Sequence, residues 1–352
     1  MAPFPLNFDE VVRQGGKEYL NTASHLRVMR PADDPDEDLW PNLYEWLNSW
    51  FDPPEQTHYL LGWLWHAYTT AYRGAMQPGH TLIIAGGPDM GKSLFSTYIL
   101  PKIFGGGADA GNFIMGHDQF NDELASVPVW FIDDNTSAAT GAKQRFFIEM
   151  LKKLSATQLL QLRAMYRSGC TIERQGRTVL TTNIDADSLS LLPGIEGTTV
   201  LDKLIVLKLG EGTPLWFHRM GRGDIQGVLD DELPHFLRWL LGYSPPPGVT
   251  EGASGRFGIN PFHHGEMVAM AQDLSPEQRD WELIEAWWTR RGCPDPWQGT
   301  VTDLLAELMG MEELSRLVNH VRAQSFGRTM TKLLHAYPEK IEKIVDKRQR
   351  VL

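Results

Sequence analysis

Residues 81–104 restrict the fold of this chain more than any other stretch. An apolar run, TLIIAG (81–86), leads into GGPDMGKSLF (86–95), and an amphipathic run, KSLFSTYILPKIF (92–104), follows. The order is strand, glycine-rich loop, helix. Gly86 and Gly91 permit positive φ and close backbone approach, so successive N–H groups can converge on phosphate oxygens. The positive end of a helix dipole falls at the same place. Lys92 adds a compact charge suited to β- and γ-phosphates, and the Ser93 hydroxyl is a hard ligand for Mg²⁺. The spacing fits the P-loop pattern. The predicted cradle comprises Gly86, Gly87, Pro88, Asp89, Met90, Gly91, Lys92, Ser93 and Leu94. A plain helix-capping turn is the bland alternative, and the apolar run in front of it weighs against that reading.

Two further pieces follow. VPVWFIDDN (127–135) closes an apolar run on Asp133 and Asp134, a Walker-B arrangement. Order in the motif assigns Asp133 to magnesium and Asp134 to the attacking water. RTVLTTNID (177–185) reads as a strand ending in Asn183, a neutral amide able to orient water or touch a γ-phosphate. With KLIVLKL (203–209), these runs alternate with helices over 92–104 and 142–154. That alternation predicts an α/β class with a parallel central sheet and ligand chemistry at the strands' carboxyl ends. ATP and Mg²⁺ are the expected ligands.

A formal charge of −11, with pI near 5.5, excludes a chain coated in basic residues for nucleic acid. Any such role rests on local surfaces, and Arg316–Leu352 holds nine Lys/Arg against three Asp/Glu. PADDPDEDLW (31–40) is an acidic linker or helix cap. No run is long enough to span a bilayer, and the opening residues lack a basic n-region and an apolar h-region. Cys170 and Cys293 stand far apart in no metal spacing, which suits a reducing compartment; a cytoplasmic location is expected. Residues 1–36 read as irregular with one short helix. Residues 38–51 and 54–74 read as helices whose aromatics, Trp63, Trp65, Tyr68 and Tyr72 among them, belong to a core. A helix over 224–243, a loop or hinge over 244–258 and three more helices follow, before EKIEKIVDKRQRVL closes as a β-ribbon or a helix. His263, His264 and Glu266 lack further ligands in metal spacing and read as a helix start. The expected division is a helical region over 1–75, a core over 76–245, a linker over 246–274 and a C-terminal domain over 275–352.

The three motifs together, in this order, resemble those of superfamily 3 helicases, in particular the primase-helicases of phages and mobile elements. GGPDMGKSLF, FIDDN and VLTTNID carry the likeness, and LLQLRAMYRSGCTIERQGR (159–177) occupies the place of that family's motif B′. The likeness covers roughly 38–245 and leaves no primase domain in front, so the chain reads as helicase-only or a fragment. It implies an AAA+-like core and a homo-oligomer, a hexameric ring, acting on single-stranded DNA with ATP between subunits. It also implies a hairpin over 161–178 that enters a central channel. There Arg163 and Arg167 would meet phosphates and Tyr166 would stack on a base, the alternative being a solvated surface hairpin. Where the family carries a trans arginine, this sequence has Lys203, which lacks the planar fork; either it serves as a weaker cation or Arg219, Arg222 or Arg256 does. The basic tail suits a winged helix exposing Arg328 and Lys332 to DNA, or else a packing module. Three functions remain in view: a replicative DNA helicase, an NTPase switch or scaffold without unwinding, and a small-molecule kinase. The Asp-Asp and Asn-ended strands give the kinase no support.

Overall fold

The computed structural model describes residues 9–21, 28–34, 39–74, 76–133, 142–156, 159–163, 170–174, 176–184, 201–211, 215–273, 276–292, 296–310, 323–342, 344–345 and 350–351. The chain begins with a hairpin where sequence reading expects irregular structure. β1 (Val11–Gln14) pairs antiparallel with β2 (Lys17–Leu20), and Gly15 and Gly16 both take positive φ in the two-residue turn. Then come α1 (Pro41–Ser49) and α2 (Gln56–Tyr72). The first strand of the main sheet, β3 (Thr81–Ala85), leads through the glycine-rich loop into α3. This helix runs Lys92–Leu94, widens into a π turn at Phe95–Ile99 and continues as Leu100–Phe104. The widening comes just before Pro101, which has no N–H to give the preceding turn.

β4 (Gly107–Asp109), α4 (Gly111–Ile114), α5 (Asp122–Ala125), β5 (Val129–Asp133) and α6 (Ala142–Ala156) follow. A separate hairpin of β6 (Leu159–Leu162) and β7 (Cys170–Glu173) precedes β8 (Arg177–Thr182) and β9 (Leu204–Lys208). α7 spans Arg222–Gly242. The stretch read as a loop or hinge contains a helical turn, α8 (Pro247–Thr250), and beyond it β10 (Phe262–His263) joins the main sheet. α9 (Gly265–Asp273) follows.

The main sheet is six-stranded and parallel, in the order β10-β9-β3-β8-β5-β4. Every residue of β3 and β8 is buried, as expected of central strands covered on both faces. α1, α2 and α7 contribute Trp46, Trp63, Tyr68, Phe236 and Leu240 to the same core, with Trp50 just past the end of α1. Trp65 is only half-buried and Tyr72 is exposed, so the apolar face of α2 is narrower than its aromatic content implies. Buried Glu232 of α7 accepts hydrogen bonds from the Leu43 N–H (2.7 Å) and the Asn42 N–H (3.2 Å), satisfying orphan donors at the start of α1.

The chain divides into two compact units, Met1–Leu192 with Thr198–Val268, and Pro193–Gly197 with Ala269–Leu352. The second has its own core on α10 (Pro276–Arg290), α11 (Val301–Gly310) and α12 (Ala323–Ala336), built from Trp281, Trp287, Leu308, Phe326 and Leu333. Trp281 stacks on Tyr337 at 4.5 Å, and Thr300 and Asp303 exchange hydrogen bonds as a capping box for α11. β11 (Ile344–Val345) and β12 (Arg350–Val351) pair antiparallel, so the described residues of the final segment follow the ribbon alternative and not the helix. No helix among the described residues is long and apolar enough to cross a membrane.

Candidate functional site

β8 lies between β3 and β5, so three chemically distinct strand ends fall side by side: the loop after β3, Asp133 ending β5, and Asn183 following β8. The loop is held from below. The Trp50 indole N–H donates to the Met90 carbonyl at 2.7 Å, and a β-carbon on Gly91, where φ is +84°, would sit 2.7 Å from Trp46 Cζ2. Gly86 is equally constrained, because a β-carbon there would lie 2.7 Å from Leu209 Cδ1. Asp89 takes φ +58°, in the left-handed region that favours glycine. Pro88, Asp89 and Ser93 are exposed, Gly87, Gly91 and Leu94 half-buried, and Gly86, Met90 and Lys92 buried. The Lys92 ammonium donates to the carbonyls of Gly86 (2.8 Å) and Gly87 and to Asn183 Oδ1 (3.1 Å). Ser93 Oγ donates to Asp133 Oδ1 at 2.9 Å, and Thr181 Oγ1 donates to the same oxygen.

This set can bind an anion and a hard cation side by side. One ammonium, a glycine turn and a helix start face Ser93 and Asp133, a hydroxyl and a carboxylate that suit magnesium. The two glycines, each walled by a bulky side chain, leave the backbone bare where phosphate oxygens would approach. The residues therefore fit the phosphates of a nucleotide and Mg²⁺. Asp134, assigned to water, lies outside the described residues.

The β6–β7 hairpin has the register Leu159↔Glu173 to Leu162↔Cys170, beginning two residues before the expected segment. Tyr166 and Arg167 lie outside the described residues. Arg163 is exposed, and its backbone is gripped by Asn121, a buried residue that sequence reading passed over. Asn121 Oδ1 accepts from the Arg163 N–H (2.7 Å), its Nδ2 donates to the Gln161 carbonyl (3.0 Å), and its own N–H donates to the Arg163 carbonyl (3.0 Å). One asparagine thus clamps the arm of the hairpin like an added strand.

Lys203 immediately precedes β9, whose Leu204 pairs with Thr81. It sits at the amino end of the sheet, about 16 Å of strand away from the loop. Its ammonium pairs with Asp202 at 2.9 Å. Within one chain Lys203 and the loop are therefore apart. Arg219 and Arg256 are exposed; the Arg222 side chain lies outside the described residues, as do those of Arg328 and Lys332 on α12. His263 falls in β10 with its Nε2 at 2.8 Å from the Leu201 carbonyl, and no metal-holding group occurs among the described residues.

Residues 84–190 match a family of unknown function (DUF5906), a segment running from β3 past Asn183. No curated protein matches the sequence. Among solved structures, the apo NrS-1 C-terminal region (305–718) superposes with a TM-score of 0.59 at 13% identity, covering 99% of this chain and 83% of that one. Its A form gives 0.56 at 15%, covering 100% and 83%. A further NrS-1 C-terminal structure gives 0.52 at 15%, with 83% of this chain matched to only 65% of that one. JCV helicase is a looser match, TM-score 0.33 at 13% identity over 71% of this chain and 64% of that one, too loose to bear on function. The fold is shared with the NrS-1 C-terminal region.

Proposed function

We propose that this chain is an ATP-dependent DNA helicase or translocase of a phage or mobile element, working as a ring-shaped oligomer on single-stranded DNA. The observation that carries the reading is the convergence of Lys92, Ser93, Asp133 and Asn183 at three adjacent strand ends. In it the loop amides of 86–93 and Lys92 hold the phosphates, Ser93 and Asp133 hold Mg²⁺, and Asp134 polarises the attacking water. Bound magnesium would neutralise charge on the β- and γ-phosphates. Asn183, now bonded to Lys92, keeps the ammonium in line with the loop and reports on the γ-phosphate once that ammonium turns to it. Thr181 and Ser93 fix the rotamer of Asp133 before any ligand arrives.

The hairpin anchored by Asn121 is the proposed DNA contact, with Arg163, Tyr166 and Arg167 on it, and Arg328 and Lys332 form a second, non-specific contact. Lys203 lines one cleft of about 400 Å³ with Lys152, Lys153 and Glu149, three cations against one carboxylate, a surface proposed to face a neighbour's phosphates. A second reading, an NTPase switch without unwinding, is favoured by one feature: Lys203 is paired with Asp202 and lacks the arginine fork. DNA-stimulated ATP hydrolysis with strand displacement supports the motor. Hydrolysis indifferent to DNA in a stable oligomer supports the switch, and phosphate transfer to a metabolite would overturn both.

A further inference from the structure

At the amino end of the sheet two arginines lie without a carboxylate, Arg177 buried and Arg174 half-buried. Arg177 opens β8 and is 1% exposed. Its guanidinium donates to the Gln77 carbonyl and to His66 Nδ1 (3.1 Å), while its Nε–H has no partner. Because arginine only donates, Nδ1 of His66 must be the bare nitrogen of a neutral ring. Arg174, just past β7, lies over the Trp130 ring at 4.3 Å and donates from Nη2 to Thr178 Oγ1 (3.0 Å); its Nε–H is likewise buried and unpartnered. No Asp or Glu among the described residues pairs with either. Burial pushes both guanidinium groups down to about 9, helped at Arg177 by the charge of Arg174, and both stay charged at neutral pH.

A small cavity adjoins Arg174, about 10 Å³, lined by Pro78, Gly79, Ser155, Arg174, Gly176 and Thr178 among others; Arg177 lies behind this lining. That is room for one water or one monatomic ion. The hydroxyls there are not equivalent. Ser155 donates to the Leu151 carbonyl, and Thr81 is left to donate to Ser155. Thr178 already accepts from Arg174, so its own proton is free to point into the cavity beside the Arg174 Nε–H. Leu154 and Ser155, from the last turn of α6, bring at most about half a negative charge, against two full positive ones. Unpaired buried charge of one sign is expensive, and a counter-ion removes that cost.

We propose that this cavity binds a single small monovalent anion, chloride, held by Arg174 Nε, the Thr178 hydroxyl and the field of Arg177. Phosphate, sulfate or a partner's carboxylate is too large for the space. The site is separate from the glycine-rich loop and does not depend on what that loop binds.

The test is thermal unfolding of the full chain in chloride against gluconate at fixed ionic strength, with Arg174→Met alongside, and anomalous diffraction from crystals grown in bromide. The expected result is a saturating rise in Tm of about 2–4 °C in chloride, absent from Arg174→Met, and a bromide peak beside Arg174. Equal Tm in both salts, or an equal rise in the variant, would overturn the proposal by leaving water in the cavity or the anion elsewhere. Should Arg174→Met not fold, the bromide peak in the unmodified protein decides, and its absence counts against the site.

Discussion

The two ends of the main sheet are built on opposite principles. At the carboxyl ends of β3, β5 and β8, each charged group is matched: Lys92 by carbonyls and an amide, Asp133 by two hydroxyls. Those partners are weak enough to be exchanged for a ligand, and Ser93 beside them is exposed. At the amino end of β8, two guanidinium groups gather with two imidazoles, Arg177, His66 and His80 buried and Arg174 half-buried. The histidines stay neutral because burial and Arg177 oppose their protonation. The exchangeable end is suited to binding and release, and the amino end to fixing how β8 and the hairpin before it enter the sheet.

Each end can be broken without the other. The largest expected effect is on the exchangeable end: Lys92→Ala should lower ATP hydrolysis by ~10²–10³-fold with the circular dichroism unchanged. Turnover at the native rate would place the chemistry elsewhere. The amino end should respond to acid. His66 and His80 are pushed down to about 3 and about 4, so between these values and 6.5 the unfolded chain holds protons that the folded chain does not. Stability is then full above about pH 6.5 and falls as pH drops, by about 2 kcal/mol per imidazole at pH 5, or about 4 for both. The groups facing them are Arg177 for both rings, with His263 and Asp202 also near His80. Urea midpoints measured at pH 7 and pH 5 decide this, and equal midpoints would mean the rings are solvated.

Next in size, Gly91→Ala forces a β-carbon against Trp46 at positive φ, an expected loss of about 3 kcal/mol seen as a lower Tm. A neutral result would mean that the loop floor yields. The smallest effect, about 1–2 kcal/mol, is expected for Asn121→Ala, which unclamps the hairpin arm. Single-strand binding should weaken while basal ATP hydrolysis is retained. Loss of both together would make Asn121 a general packing residue.

Much of the exchangeable end was legible in the sequence because its signals are local. A glycine turn between an apolar run and an amphipathic one, and apolar runs closing on Asp133 and Asn183, can each be read from the residues immediately around them. The clamp by Asn121 cannot, since it joins the hairpin from 40 residues away. Nor can the aromatic floor, because Trp46 and Trp50 look like any core residues until the fold puts them under Gly91. Arg177 is the strongest case. Its place in QGRTVLTTN resembles a solvated strand start, and only the packing of α2 and the 77–80 segment buries it. β4 and β10 escaped notice for another reason: at three and two residues they are edge strands defined by their neighbours' hydrogen bonds. The β1–β2 hairpin does carry a local signal, the Gly-Gly pair in VVRQGGKEYL.

The most direct measurement is titration calorimetry of ATP with Mg²⁺ into the full chain and into Lys92→Ala. One binding event per chain, weakened at least ~10-fold in the variant, is the predicted result. No heat from the unmodified chain at millimolar nucleotide, or equal binding by both proteins, would contradict a phosphate site at the loop after β3.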